Sequence, residues 1–227
     1  MNRKEFLKLC LTGVSVSLMP GRLFASHQEL SNVLLIGDSI SMGYTPFVQE
    51  LLKGKANVFR PMLENGEAEN CGGTIFGAAN IDKWIGNKKW NVIHFNFGLH
   101  DLKHVDPVTG QASIKPNDPV QADIRQYTEN LTFIVDRLKK TGAKLIFATT
   151  TPVPELTKSP LRVPTDVILY NNAALKLMKK EKVMVNDLYT FILPGIKEFQ
   201  FPNNVHFNQK GYTALAEEVV RKIEKVI

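Results

Sequence analysis

Four apolar residues in succession, Val33 to Ile36, run into the polar turn Gly37-Asp38-Ser39 and then into residues with helical spacing. An unbroken apolar run closed by a turn predicts a strand buried on both faces, as in parallel sheets. The pattern recurs along the chain. Ala56 to Arg60 reads as a second strand, Asn91 to Phe97 as a third, Lys144 to Thr149 as a fourth and Val183 to Asp187 as a fifth. Helical patterns separate them: Pro46 to Leu52, Thr74 to Ile85, a long one that opens at Asp118-Pro119 and stops at Gly142, and Thr165 to Lys180. A last helix is capped by Asn208 and carries the apolar stripe Tyr212, Leu215, Ala216, Val219, Ile223 and Val226. Strands alternating with helices predict an α/β fold, a mostly parallel five-stranded sheet with helices on both faces.

The polar interruptions fall where such a sheet does chemistry. Ser39 follows the first strand, Gly98-Leu99-His100-Asp101 follows the third, and His206 sits just before the last helix. In an open α/β sheet these turns gather at the carboxyl edge. The loop over 104–118, rich in Pro, Gly, Asp and Asn, and the one over 150–164, with four prolines, belong to that edge, and the first suits a wall or lid. The polar stretch Glu64 to Gly73 can turn sharply and present amide protons. A serine, an imidazole and backbone donors are the parts of nucleophilic catalysis. Ser39 taken alone is equally a cap for the next helix, so the other turns carry the argument.

Composition narrows the setting. With 227 residues, 44% hydrophobic and 22% charged, the chain fits one domain with a substantial core. Its first 25 residues differ: Asn2-Arg3-Lys4, a short apolar stretch from Leu9 to Met19, then Leu23-Phe24-Ala25 resemble an export signal, with Arg3-Lys4 a departure from a twin-arginine pair. Residues 1–25 are therefore expected to be removed and residues 26–227 to form a single exported domain, periplasmic or secreted. The apolar stretch is too short for stable membrane insertion. Loss of Arg3, Lys4, Lys8, Arg22 and Glu5 lowers the net charge from +6 to +3, which leaves no case for a nucleic-acid partner. Cys10 would leave as well, so Cys71 has no disulfide partner.

The order Gly37-Asp38-Ser39, Gly72-Gly73, Gly98-Leu99-His100-Asp101 and Asn203-Asn204-Val205-His206 resembles the SGNH hydrolases, also called the GDSL esterase/lipase family, over essentially all of residues 32–227. The resemblance implies a three-layer, flavodoxin-like α/β/α sandwich and hydrolysis of esters, often acetyl groups on carbohydrates or acyl chains on lipids, without a metal or other cofactor. It makes Ser39 the nucleophile and His206 the general base, with oxyanion donors at the Ser39 amide, at Gly72 in preference to Gly73, and at a third-block side chain. Asp38 and Asp101 would support these turns.

Two positions depart from the family pattern. His100 stands where an asparagine normally donates to the oxyanion, and Asn203 where an aspartate normally faces the histidine. Asparagine can orient the ring but adds no charge, so the readings are a Ser-His pair oriented by Asn203, an acid supplied by Asp187 or Asp101, or an inactive relative. The expected activity is that of a serine esterase for small acyl groups, above all acetyl, on a carbohydrate or similar small molecule. The rivals are a glycan-binding relative without catalysis and a lysophospholipase or thioesterase. His100 and His104 stand at zinc-ligand spacing for a helix, but they follow a strand and lack a third ligand. No Gly-x-Ser-x-Gly elbow or second phosphate-binding feature occurs in the expected mature chain.

Overall fold

The computed structural model describes residues 29–155, 157 and 160–227, so the leader expected over residues 1–25 lies outside the described residues. Strand β1 (Ser31–Ile36) is an interior strand of the sheet. It pairs in parallel with β2 (Ala56–Phe59) on one side and β3 (Val92–Phe95) on the other. Beyond β3 come β4 (Lys144–Ala148) and β5 (Met184–Asn186), also parallel, giving the order β2-β1-β3-β4-β5. Val33, Leu34, Leu35 and Ile36 are buried, as are Val92, Ile93, His94 and Phe95. Each such aliphatic side chain contributes about 1.5–3 kcal/mol relative to exposure, which explains the unbroken apolar runs.

Helices cover both faces. α1 (Ser39–Leu51) packs against the last helix, α7 (Gln209–Ile223), while α2 (Thr74–Ile85), α3 (Ile124–Lys139) and α4 (Pro164–Glu181) pack in succession. The α1–α7 contact is close because Gly43 has no side chain: a Cβ there would stand 2.1 Å from the Tyr212 ring. This contact joins the element that begins at Ser39 to the one that follows His206.

The strands fall where the hydrophobic pattern predicts, and the differences lie in the helices. α1 begins at Ser39 rather than Pro46, because the Asp38 carboxylate accepts the Ile40 N–H at 2.9 Å and caps it. α3 begins at Ile124, five residues past the expected Pro119. Residues 119–122 are held instead by long-range bonds: Val105 N–H to Pro119 O, Gln121 N–H to Lys103 O and Ala122 N–H to Asp101 O. Asp123 then supplies the cap. Short helices α5 (Leu188–Ile192) and α6 (Ile196–Phe199), joined by a 3-10 turn, fill a segment whose apolar residues follow no helical period.

The two long loops form one wall. His104 N–H donates to Leu161 O, Leu161 N–H to Ser113 O and Ser113 N–H to His104 O, so segments from both loops are clasped together. No helix among the described residues is long and apolar enough to cross a membrane.

Candidate active site

Ser39 is the first residue of α1, placed at the end of β1 by the capped turn beneath it. At Gly37 a Cβ would come within 2.9 Å of Ser41, so only glycine lets the chain turn this closely over its own helix. Buried Arg60 braces the same turn from below, donating to Gly37 O at 3.4 Å, Glu69 O at 2.8 Å and Thr45 Oγ1 at 3.1 Å. It thereby links the first and second blocks. The third block begins at Gly98, whose φ is +145° and where a Cβ would stand 2.3 Å from Thr150 Oγ1, so the position admits no side chain.

His206 arrives on the short loop between α6 and α7. Its backbone is pinned by Phe201 N–H to His206 O at 3.0 Å and Asn208 N–H to Phe199 O at 2.9 Å. Buried Gln200 donates to both Pro152 O and Val205 O, tying this loop to the one after β4. The result is that His206 Nε2 lies 2.9 Å from Ser39 Oγ, although 167 residues separate them in sequence.

Asn203 does not hold the histidine. Its backbone takes a left-handed φ of +56°, and the contact to the ring comes from Asn204. Asn204 Oδ1 accepts the His206 backbone N–H at 3.0 Å and lies 2.8 Å from His206 Nδ1. The first bond fixes which end of the amide faces the ring: the backbone N–H can only donate, so the oxygen is the atom it meets. His206 Nδ1 must then carry the proton, and Nε2 presents its lone pair to Ser39. A neutral asparagine thus sets the tautomer that general-base chemistry needs.

The acids that could substitute are occupied elsewhere. Asp101 Oδ1 accepts both the Thr74 N–H at 2.8 Å and the Thr74 hydroxyl at 2.6 Å, clamping the third block to the start of α2. Asp187 caps α5 and accepts the Thr149 hydroxyl at 2.9 Å. Asp38 caps α1. Burial pushes the carboxyls of Asp38 and Asp101 up to about 6, the expected result for acids with few solvating donors.

Ser39, His100, Asn203, Asn204, His206 and Arg162 share an open cleft of about 530 Å³. Burial, reinforced by the Lys103 and Arg162 charges, holds the His100 imidazole down at about 4, so it is neutral and has one N–H to donate. Burial and the Arg162 charge also lower His206, keeping it a free base at neutral pH. At the second block the Gly72 N–H, the oxyanion donor that the family resemblance favours, is occupied by Asn70 Oδ1 at 3.0 Å, and it is Asn70 that lines the cleft. Three cleft residues, Asn70, Arg162 and Asn204, escape a reading of the sequence. Asn204 adjoins the position that the family spacing singles out, and Arg162 lies in a proline-rich loop that has no periodic signal. His104 turns away from His100, its Nδ1 bonded to Asp118 O at 2.7 Å.

A serine hydroxyl against a neutral imidazole, at the carboxyl edge of a doubly covered parallel sheet, has the chemistry of a serine hydrolase. The profile of the GDSL-like lipase/acylhydrolase family matches residues 35–214, and the chain belongs to that family. Its fold is also that of solved relatives of low sequence identity. A lipase/acylhydrolase from Enterococcus faecalis is 20% identical, with a TM-score of 0.68 over 86% of this chain and 96% of that one. An acetyl xylan esterase is 18% identical, with a TM-score of 0.66 over 85% and 99%. A catalytic mutant of an acetylxylan esterase from Geobacillus stearothermophilus is 15% identical, with a TM-score of 0.66 over 85% and 94%. A comparison with curated proteins finds none that matches.

Proposed function

We propose that this hydrolase is an exported serine esterase that removes small acyl groups, acetyl foremost, from a carbohydrate or similar hydroxylated small molecule. One observation carries the chemistry: Ser39 Oγ lies 2.9 Å from His206 Nε2, in a histidine whose tautomer is set through Asn204. Ser39 attacks the ester carbonyl while His206 Nε2 takes its proton, and the imidazolium then returns that proton to the leaving alcohol. Water repeats the cycle on the acyl-enzyme. The oxyanion is met by the Ser39 N–H at the first turn of α1, by the Asn70 amide and by the neutral His100 ring, with the Gly73 N–H adjoining. The helix amino terminus favours the developing charge.

The acetyl and carbohydrate parts of the reading draw support from the acetyl xylan esterases among the structural relatives and from an open cleft that offers Asn70, Asn203 and Asn204 for hydrogen bonding to a hydroxylated substrate. The test is turnover of p-nitrophenyl acetate and of acetylated sugars by residues 26–227. Ser39→Ala is expected to reduce the rate to background. A Ser39→Ala protein as active as the parent would end the esterase reading. The lack of a carboxylate on His206 favours one second reading, glycan binding without catalysis, and sugar binding with no ester turnover by the parent would establish it. Rates that rise with acyl length would instead favour a lysophospholipase or thioesterase.

A further inference from the structure

The cleft holds a cation that the esterase mechanism leaves unused. Arg162 is 5% exposed, lies on the wall formed by the clasped loops, and lines the cleft together with Ser39, His100 and His206. Its Nε–H donates to Leu99 O at 2.7 Å, which points the rest of the guanidinium away from that carbonyl. Among the described residues its paired Nη groups have no hydrogen-bond acceptor, and no carboxylate stands at ion-pair distance. Asp38 attracts it only at longer range and is itself occupied as the cap of α1. Lys103 adds a second positive charge nearby.

A guanidinium this deeply buried is costly unless an anion meets it, and proteins otherwise supply that anion themselves. The planar Nη1/Nη2 fork matches a carboxylate in two-point contact better than any other donor does. We infer that Arg162 is an anion-recognition residue, and that the natural substrate is an ester bearing a carboxylate beside the scissile carbonyl. This rests on the esterase reading for its chemistry but not for its binding site. The carboxylate has two sources, an acidic sugar on the alcohol side or a dicarboxylic acyl group on the acyl side. Arg162 acts by holding the substrate, and the bond-making steps stay with Ser39 and His206.

The test compares three esters: an acetylated methyl glycoside of a hexuronic acid with its carboxylate free, the matching acetylated neutral hexoside, and the neutral hexoside carrying a succinyl half-ester. The parent is expected to prefer one acidic ester over the neutral one in kcat/KM, and which of the two it prefers identifies the source. Arg162→Gln is expected to lower the acidic-to-neutral ratio roughly 10- to 100-fold, with the loss mainly in KM. Arg162→Lys, which keeps the charge and loses the fork, is expected to recover part of that ratio. An unchanged ratio in Arg162→Gln, with both rates falling together, would show that Arg162 only latches the Leu99 carbonyl and would overturn the inference. So would a parent that favours the neutral ester. Should Arg162→Gln fail to fold by circular dichroism, the Arg162→Lys ratio and the parent's preference decide. Calorimetry of Ser39→Ala with free hexuronate, succinate and neutral hexose separates this inference from the esterase reading. Binding of either acid at least about 10-fold tighter than the hexose supports the anion site even if no ester is hydrolysed, and equal or absent binding of all three overturns it.

Discussion

Replacing Asn204 by aspartate isolates the one element a serine hydrolase triad would add to this site. The Asn204 oxygen already orients His206 and fixes its tautomer, at 2.8 Å from Nδ1, so the substitution changes charge and little else. When Ser39 attacks the ester, the ring takes its proton and becomes an imidazolium. A carboxylate centred about 4 Å from it would stabilise that cation by about 4 kcal/mol at an effective dielectric near 20. Asn204 is exposed and His206 only partly buried, so solvent reduces this to about 1–2 kcal/mol, roughly a 5- to 30-fold gain in kcat/KM. The same charge raises the His206 pKa, and the acid limb of the pH–rate profile moves up from a position that burial and Arg162 set below the ordinary histidine value. The assay is kcat/KM for p-nitrophenyl acetate from about pH 4.5 to 9, a range spanning the histidine titration, on the parent, Asn204→Asp and Asn203→Asp. An unmoved limb with an unchanged rate in Asn204→Asp, or a gain in Asn203→Asp instead, would refute the assignment of Asn204 as the residue that orients His206.

The scaffold is open to two further tests. Gly43→Ala forces a methyl into the Tyr212 ring where α1 meets α7, and should destabilise the fold by about 1–3 kcal/mol in urea unfolding, more if the helices cannot part. His94 is buried in β3, its ring edge-on to Tyr44, and burial depresses it to about 3. A depressed histidine is protonated in the unfolded chain first, so stability is lost as pH falls from about 6.5 toward 3, while Asp38 and Asp101, raised to about 6, act in the opposite sense. His94→Phe removes only the first effect. Between about pH 7.5 and pH 4 it should lose up to about 3 kcal/mol less stability than the parent, and parallel pH dependence of the two proteins would exclude a neutral His94.

What is legible in the sequence is what is local. The strands announce themselves because a parallel strand buried on both faces is apolar at nearly every position, and the turns that end β1 and β3 can be placed from those ends. Ser39 and His206 come within reach for the same reason. The start of α3 does not, because Asp118 and Asp123 are both good caps, and the choice between them is made by bonds to Asp101, Lys103 and Val105 on another loop. The partner of His206 depends on a single backbone angle, φ at Asn203, which decides whether the side chain two or three residues back meets the ring. No periodicity encodes that.

On the proposed mechanism, Asn204 and Arg162 together let the site dispense with an acid against its histidine. A triad aspartate would raise the histidine pKa and so narrow the pH range over which the base is free, a range that the burial of His206 and the Arg162 charge here extend toward acid. The carboxylates of the neighbouring turns are kept on helix starts, Asp38 at α1 and Asp101 at α2, where they brace the turns and accept from backbone N–H groups. A further aspartate at position 204 would face the same cleft as Arg162 and compete with an anionic substrate for it. An uncharged orienting residue is therefore compatible with a carboxylate-bearing substrate in a way that a charged one is not. On this argument Asn204→Asp should gain rate on p-nitrophenyl acetate while its preference for an acidic over a neutral sugar ester declines, and a variant that gained equally on both would separate the two residues' roles.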